Sequence, residues 1–586
     1  MDGKKADIDR TEHGNVPGLR VLSFAILALA LTACASSTPP VGTTGQLAMP
    51  SPASVAGEVH SMAAPSPSGY SPKASANAPA AAVQQTAYPS TDFNTEEYKR
   101  IVDNPFLKAM DNPVSTFSID VDTASYANLR RFLMESRELP PRDAVRIEEM
   151  INYFTYDYPA PTGEHPVAST FAMAPAPWAQ DHWLLRVALK ARDIETASLP
   201  ASNLVFLLDT SGSMEAENKL PLLKASLKIM VEHLRPQDRV SIVAYAGSTG
   251  LILDSTPGSK KEAIIAAFER LQANGSTAGG AGLKLAYEVA KRNFITGGNN
   301  RVILCTDGDF NVGVSSTSEL ERMIEEKRKD NIYLTVIGLG TGNIKDSRME
   351  SLADKGNGNY AYIDNLLEGK KVLGKEIWGN LYAVAKDVKI QIEFNPAAVR
   401  EYRLIGYENR LLAREDFNDD TKDAGEMGAG QTVTAFYELI PQSAPATGPA
   451  GPGGTIGTGA TGTGTTSPPP SDPLVFQQST LVPSDDLFVF KLRYKEPGNG
   501  NEESRLVSTR LAAASIFREM AARDDDFLFA SAVVEFGMLL RDSPYKGTAR
   551  WKTAMERARA AKGSDAEGYR AEFVRLVEMA ELLAGH

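Results

Sequence analysis

The chain has 586 residues, 42% of them hydrophobic and 23% charged, with a formal net charge of −12. Such a length exceeds one compact core and predicts more than one domain, and the acidic balance excludes a general affinity for nucleic acid or anionic lipid. With only Cys34 and Cys305 available, a disulfide scaffold is excluded too.

Residues 1–33 join basic residues to a short apolar run at 21–33. The run is shorter than the roughly 20 apolar residues that cross a bilayer, and the pattern predicts a secretory signal. Leu31-Thr32-Ala33-Cys34 resembles a bacterial lipobox. That likeness implies cleavage before Cys34, lipidation of its thiol and a place in a bacterial envelope, with Ala35 favouring the outer membrane over the inner. The lipid anchor is the only membrane contact expected. Residues 34–92 are rich in Ser, Pro, Ala and Thr, bury too little to repay ordering, and predict a flexible tether.

Between 93 and 198, STFSIDVDTASYANLRRFLMES predicts an alternating strand and then a helix. DAVRIEEMINYF predicts a second helix and HWLLRVALKAR a second strand. Asp120 and Asp122 alternate along the first strand and are expected to be solvated.

Residues 199–370 alternate apolar strands, LVFLL, RVSIVAYA, RVILC and IYLTVIGLG, with helices. In KLPLLKASLKIMVEHL, Leu220, Leu223, Leu227, Met230 and Leu234 recur at helical steps. KKEAIIAAFERL and GLKLAYEVAKRNF predict two more helices. Strand–helix alternation with apolar strands predicts a parallel sheet covered on both faces. Cys305, inside RVILC, is expected to be a small buried filler.

In 371–442 and 474–586, VKIQIEF, YRLIGY, QTVTAFYELI and LFVFKLRY alternate as strands of an exposed sheet do. SIFREMAARDDDFLFASAVVEFGMLL and YRAEFVRLVEMAELLA predict helices, the Asp524-Asp525-Asp526 run being a solvated stretch. Residues 443–473, rich in Gly, Thr and Pro, predict a linker or insertion.

In an open parallel sheet, ligands bind where loops leave the carboxyl ends of strands. Three such loops are rich in oxygen: Asp209-Thr210-Ser211-Gly212-Ser213-Met214, Asn274-Gly275-Ser276-Thr277 and Thr306-Asp307-Gly308-Asp309. With no His or Cys among them, the set suits Mg²⁺, Mn²⁺ or Ca²⁺ rather than Zn²⁺. If the hydroxyls bind directly and the aspartates act through water, few formal charges touch the ion. It then stays electrophilic toward one more carboxylate.

DTSGSM, Thr277 and the TDG at Asp307 resemble the metal-ion-dependent adhesion site of von Willebrand factor type A domains. The resemblance spans roughly 200–370. It implies a Rossmann-like α/β domain, a parallel-rich sheet with helices on both faces, over 199–370. It further implies Asp209, Ser211, Ser213, Thr277 and Asp307 as the coordinating set, a divalent cation (Mg²⁺ first, Mn²⁺ or Ca²⁺ as alternatives), and a protein partner supplying an Asp or Glu.

NPVSTFSIDVDTASYANLRRFL, AKDVKIQIEFNPAAVREYRLIGYENR and GAGQTVTAFYELIP resemble the flanks of a bacterial lipoprotein family with a central type A domain. They imply an N-terminal α+β region and a C-terminal β-rich plus helical region of undefined role. Rival readings are a structural envelope protein whose metal only stabilises the fold, and a phosphotransfer enzyme with Asp209 as nucleophile. The second carboxylate such an enzyme wants two residues on is Ser211 here, so no enzyme is expected. Asp209 and Ser211 as mere caps of the helix from about Lys219 is the plainest alternative.

Overall fold

The computed structural model describes residues 95–246, 249–275, 279–308, 310, 317–442, 472–477, 481–497, 503–516 and 524–585. The expected leader, the Cys34 anchor, the tether, nearly all of the 443–473 insertion and Thr277 lie outside these residues.

The first region contributes β1 (Leu107–Lys108), β2 (Val114–Ser118), α1 (Ala124–Arg130), α2 (Ile147–Asn152), β3 (Val167–Ala176) and β4 (Ala179–Ala191). The strand β2 stops before Asp120 and Asp122, and both carboxylates are buried, at 4% and 3% exposure, rather than solvated. Arg410 causes this: its guanidinium lies 3.2 Å from Asp120 and 3.3 Å from Asp122. Alternation along a strand carries no signal for a cover supplied by a distant segment.

The central region runs β5 (Ser202–Asp209), α3 (Leu220–His233), β6 (Arg239–Tyr245), β7 (Thr249–Pro257), α4 (Lys261–Glu269), α5 (Gly279–Arg292), β8 (Asn299–Thr306), α6 (Thr317–Lys329), β9 (Ile332–Leu339), α7 (Asp346–Lys355), β10 (Tyr360–Ile363), α8 (Leu366–Lys370) and α9 (Ile377–Leu381). Its sheet has the order β10-β9-β8-β5-β6-β7. All neighbours are parallel except the edge strand β7, which turns back against β6. Leu204, Phe206 and Leu208 enter one core with Leu223, Leu227 and Met230 of α3. Val205 and Leu207 enter the other, with Leu283 and Tyr287 of α5. A strand buried on both faces must be apolar throughout, which is why LVFLL shows no alternation.

The last region holds β11 (Ala383–Phe394), β12 (Val399–Ile405), β13 (Gly425–Gly428), β14 (Thr432–Pro441), β15 (Asp486–Lys495), β16 (Arg505–Ala512), α10 (Ala513–Ile516), α11 (Asp525–Arg541), α12 (Trp551–Ala560) and α13 (Tyr569–Ala584). Its strands do not stand alone. One sheet is ordered β1-β12-β14-β4-β3, and β2 pairs with β11 at the edge of the other, β13-β11-β15-β16. Strands from before and after the central region therefore share both sheets, with β4 and β14 in register from Trp183↔Leu439 to Lys190↔Thr432.

The two sheets face each other across a core that includes Val187, Leu189, Ile390, Ile392, Phe488 and Phe490. The helices α2, α11, α12 and α13 cover the outer face of the first sheet. The strands β11, β12, β14 and β15 are thus mostly buried on both faces, not half exposed, while the edge strand β16 remains largely open. The alternation in VKIQIEF is real, yet its polar side is covered: Lys389 donates to the backbone oxygens of Asp416 and Asp419, and Glu393 accepts from the amides of Val475 and Phe476. Likewise Asp524 caps α11 by accepting from the Phe527 amide at 2.8 Å, and Asp526 pairs with Arg570 at 2.6 Å, so that run is structural. Among the described residues no helix is long and apolar enough to cross a membrane.

Candidate functional site

Parallel pairing in register sets Asp209, the last residue of β5, beside the end of β8, where Asp307 follows. Both aspartates are fully buried. Asp209 Oδ1 accepts from the Ser211 amide at 2.9 Å, while Oδ2 accepts from the Tyr245 hydroxyl at 3.0 Å and from Thr306 Oγ1 at 3.2 Å. Each oxygen is therefore engaged, and the carboxylate holds its own loop in place. Burial pushes its pKa above the ordinary value; the Ser211 hydrogen bonds offset part of that, and neighbouring Asp307 adds to it. A cation nearby would oppose both raising effects.

The Ser211 and Ser213 hydroxyls lie 3.0 Å apart, Ser211 buried and Ser213 exposed. Ser211 precedes and Ser213 lies within a short 3₁₀ turn, Gly212–Glu215, that comes before α3. Neither that turn nor α3 is capped by a side-chain hydrogen bond, so Asp209 and Ser211 are not helix caps. Thr210 turns away, its hydroxyl donating to the Tyr245 carbonyl at 3.2 Å. The second loop is tied to the first: the Gly212 amide donates to the Gly275 carbonyl at 3.0 Å, and Asn274 to that of Thr210 at 2.7 Å. Thr277 itself lies outside the described residues. In the third loop Gly308 has φ +99, and a Cβ there would meet the Asn343 carbonyl at 2.4 Å, which requires glycine. Cys305, two residues before Asp307, is fully buried and its thiol pKa is raised by burial, as a filler's should be.

Lys219 joins the site without having been expected there. Its Nζ donates to Asp307 Oδ2 at 2.7 Å, and the pair is almost wholly buried. The side chain crosses Gly340, where a Cβ would fall 2.4 Å from its methylenes. One signal was available: a lysine directly before an apolar helix faces the positive end of the helix dipole and wants an acidic partner.

The donor chemistry fits a hard cation. Two buried carboxylates and one ammonium leave a net negative charge beside two serine hydroxyls, one of them open to solvent. Type A domains often bind a divalent cation at such a site. A second acidic group, Asp120, Asp122 and Glu350, brings oxygens within 4.8 Å of one another. Arg410 reaches all three of these residues, and Asn409 donates to Glu350, so that group is a salt-bridged joint between regions.

The von Willebrand factor type A domain family is matched by residues 203–371, and a family described as von Willebrand factor by residues 92–186. Residues 379–583 match the family described as Uncharacterized protein YfbK, C-terminal. The chain is similar to Uncharacterized protein YfbK of Escherichia coli (strain K12), with 44% identity over 498 residues, 83% of this chain and 81% of that one. It is also similar to Uncharacterized protein sll0103 of Synechocystis sp., 32% identical over 197 residues, which covers 33% of this chain and 44% of that one. A solved structure, von Willebrand factor type A from Catenulispora acidiphila, has a TM-score of 0.37 at 16% identity, covering 70% of this chain and 89% of that one. The chain belongs to the YfbK family, bacterial proteins that combine a von Willebrand factor type A domain with the YfbK C-terminal domain.

Proposed function

We propose that this protein binds another protein through the loops at the carboxyl edge of the type A sheet, and does so with a divalent cation, Mg²⁺ first. The observation that carries the reading is the pair of serine hydroxyls 3.0 Å apart, opening to solvent between two buried aspartates on neighbouring strand ends. Ser211 and Ser213, with Thr277 from the resemblance, are the direct ligands; Asp209 and Asp307 act from behind. When bound, the cation supplies a Lewis-acidic seat for a partner's Asp or Glu. Asp209 has both oxygens committed, so it orients Ser211 and the Tyr245 side of the site. Lys219 holds the charge of Asp307.

A cleft of about 580 Å³ beside these loops, walled by Leu251 and Ile252 on one side and by Arg270, Gln272 and Asn274 on the other, offers the partner a mixed apolar and polar foothold next to the cation. Leu251 and Ile252 stand 38% and 36% exposed on the edge strand β7. The rival in which metal only stabilises the fold is weakened by Lys219, which already neutralises Asp307. Phosphotransfer is weakened because neither oxygen of Asp209 is free to attack. The expected setting is the bacterial envelope, with Cys34 lipidated.

The test is calorimetric titration of the full chain with Mg²⁺, Mn²⁺ and Ca²⁺, followed by capture of envelope proteins with and without EDTA. Absence of metal binding sinks the site. Metal binding with capture that ignores EDTA and Ser213→Ala sinks the metal-dependent role. Cys34→Ser should release the protein from the membrane fraction; retention there refutes lipidation.

A further inference from the structure

A second cleft, of about 760 Å³, opens at the other end of β8. At about 3.3 Å per strand residue, Arg301 lies some 20 Å from Asp307. The walls are largely apolar, with Leu199, Phe294, Leu381 and Val384 among them. Two polar side chains from alternate positions of β8 line it on the same face: Asn299, 7% exposed, and Arg301, 3% exposed.

Each side chain keeps one buried donor without a partner. Arg301 Nη1 donates to Thr335 Oγ1 at 2.8 Å and the guanidinium lies over the Tyr333 ring at 5.4 Å, but Nε has no partner. Asn299 Nδ2 has none either. The other buried arginines meet carboxylates, as Arg130, Arg146, Arg403 and Arg541 do. Among the described residues no carboxylate forms an ion pair with Arg301. Its nearest acidic influence is Glu426, which accepts from Asn357 at 3.1 Å and is shared with Lys386. Two cations thus share one partly buried carboxylate. Glu164 and Glu496 sit on the rim with side chains 77% and 46% exposed. Burial accordingly pulls the guanidinium pKa of Arg301 below its ordinary value.

A buried cation with no carboxylate in direct contact is costly, and an arginine fork recovers that cost best against a carboxylate or phosphate. We infer that this cleft binds a small organic anion, its acidic group held by Arg301 and Asn299 and its apolar body lying against Phe294, Leu199 and Leu381. The cleft volume falls in the range of small-molecule sites, roughly 300–1,000 Å³. It shares no residue with the metal loops, so it stands whether or not the proposed function does.

The test uses the full chain and three probes: 4-phenylbutyrate, phenyl phosphate and the neutral 4-phenylbutanol, read by thermal shift and ligand-observed NMR in EDTA. One or both anions should bind and raise Tm while the alcohol binds at least tenfold more weakly; which anion binds better separates a carboxylate from a phosphate ligand. Arg301→Met should abolish the anion response and leave the free protein's Tm unchanged or higher, because an uncompensated charge is gone. Phe294→Ala, at a half-exposed wall position, should weaken binding without moving Tm. Silence from both anions, equal binding of the alcohol, or undiminished binding by Arg301→Met overturns the inference. Should Arg301→Met fail to fold, Arg301→Lys and Phe294→Ala decide: binding unchanged in both overturns it equally.

Discussion

Replacing Lys219 with Met should make the protein need its metal. The Lys219–Asp307 contact is 2.7 Å long and buried on both sides. At an effective dielectric of about 20 its gross attraction is about 6 kcal/mol. Most of that is spent on desolvation, but removing one partner of a buried pair strands the other, at a cost of about 3–5 kcal/mol. Met keeps the methylene packing against Gly340 and deletes only the ammonium. In EDTA, Lys219→Met should therefore melt well below the wild type. A divalent cation on the serine hydroxyls in front of that carboxylate should restore much of the loss. By linkage, the cation no longer competes with an ammonium, so its affinity should rise by about two orders of magnitude for each 3 kcal/mol recovered. Scanning calorimetry with and without Mg²⁺, paired with titration calorimetry, reads both effects. Equal destabilisation with and without metal, or metal affinity unchanged or lowered, would refute the reasoning.

Ser213→Ala should lose metal affinity while leaving the unfolding free energy in EDTA within about 0.5 kcal/mol of wild type, since an exposed position that bonds Ser211 carries little stability. Arg130→Met should destabilise by about 3–5 kcal/mol in urea unfolding, because its guanidinium binds Asp364 at 2.5 Å, Glu368 at 2.7 Å and Glu572 at 2.9 Å in a buried junction. Burial, helped by Glu408 and opposed by Arg541, raises the Glu148 pKa from 4.5 to about 7. The folded state then holds a proton that the unfolded state has released, so this group's contribution falls as pH rises from 4.5 through about 7. Melting across that window should show the slope, and Glu148→Gln should flatten it and raise Tm at the alkaline end.

Much of this was legible because it is local. LVFLL and RVILC are apolar for their whole length since both faces are covered, and each ends in an acid where a parallel strand must open to a loop. The serines follow within four residues of Asp209, so one short segment displays three of the five expected ligands. What was hidden depends on segments that meet only after folding. The partnership of Lys219 with Asp307, the commitment of Asp209 to Tyr245 and Thr306, and the burial of Asp120 and Asp122 under Arg410 all join residues far apart in sequence. Alternation in VKIQIEF correctly separated an apolar from a polar face, but hydrophobicity cannot tell water from a covering loop whose backbone satisfies Lys389. Arg301 looked like an ordinary strand start, because its missing counter-ion is a property of the walls around it.

Shared sheets also dictate an order of events during synthesis. β4 can zip onto β3 at once, yet its other edge waits for β14, and Lys190 reaches its contact at Gly430 only 240 residues later. The central domain emerges complete in that interval and can fold on its own parallel pairings. β4 meanwhile presents an open backbone edge with Leu184, Leu185, Val187 and Leu189 uncovered on its two faces, the kind of template on which nascent chains pair wrongly. The late arrival of β12 and β14 makes such pairing of sequence-distant strands slow. Ribosome-bound intermediates truncated before residue 432 should thus be the aggregation-prone species, and shielding of β4 by a chaperone the step that sets the yield of native protein.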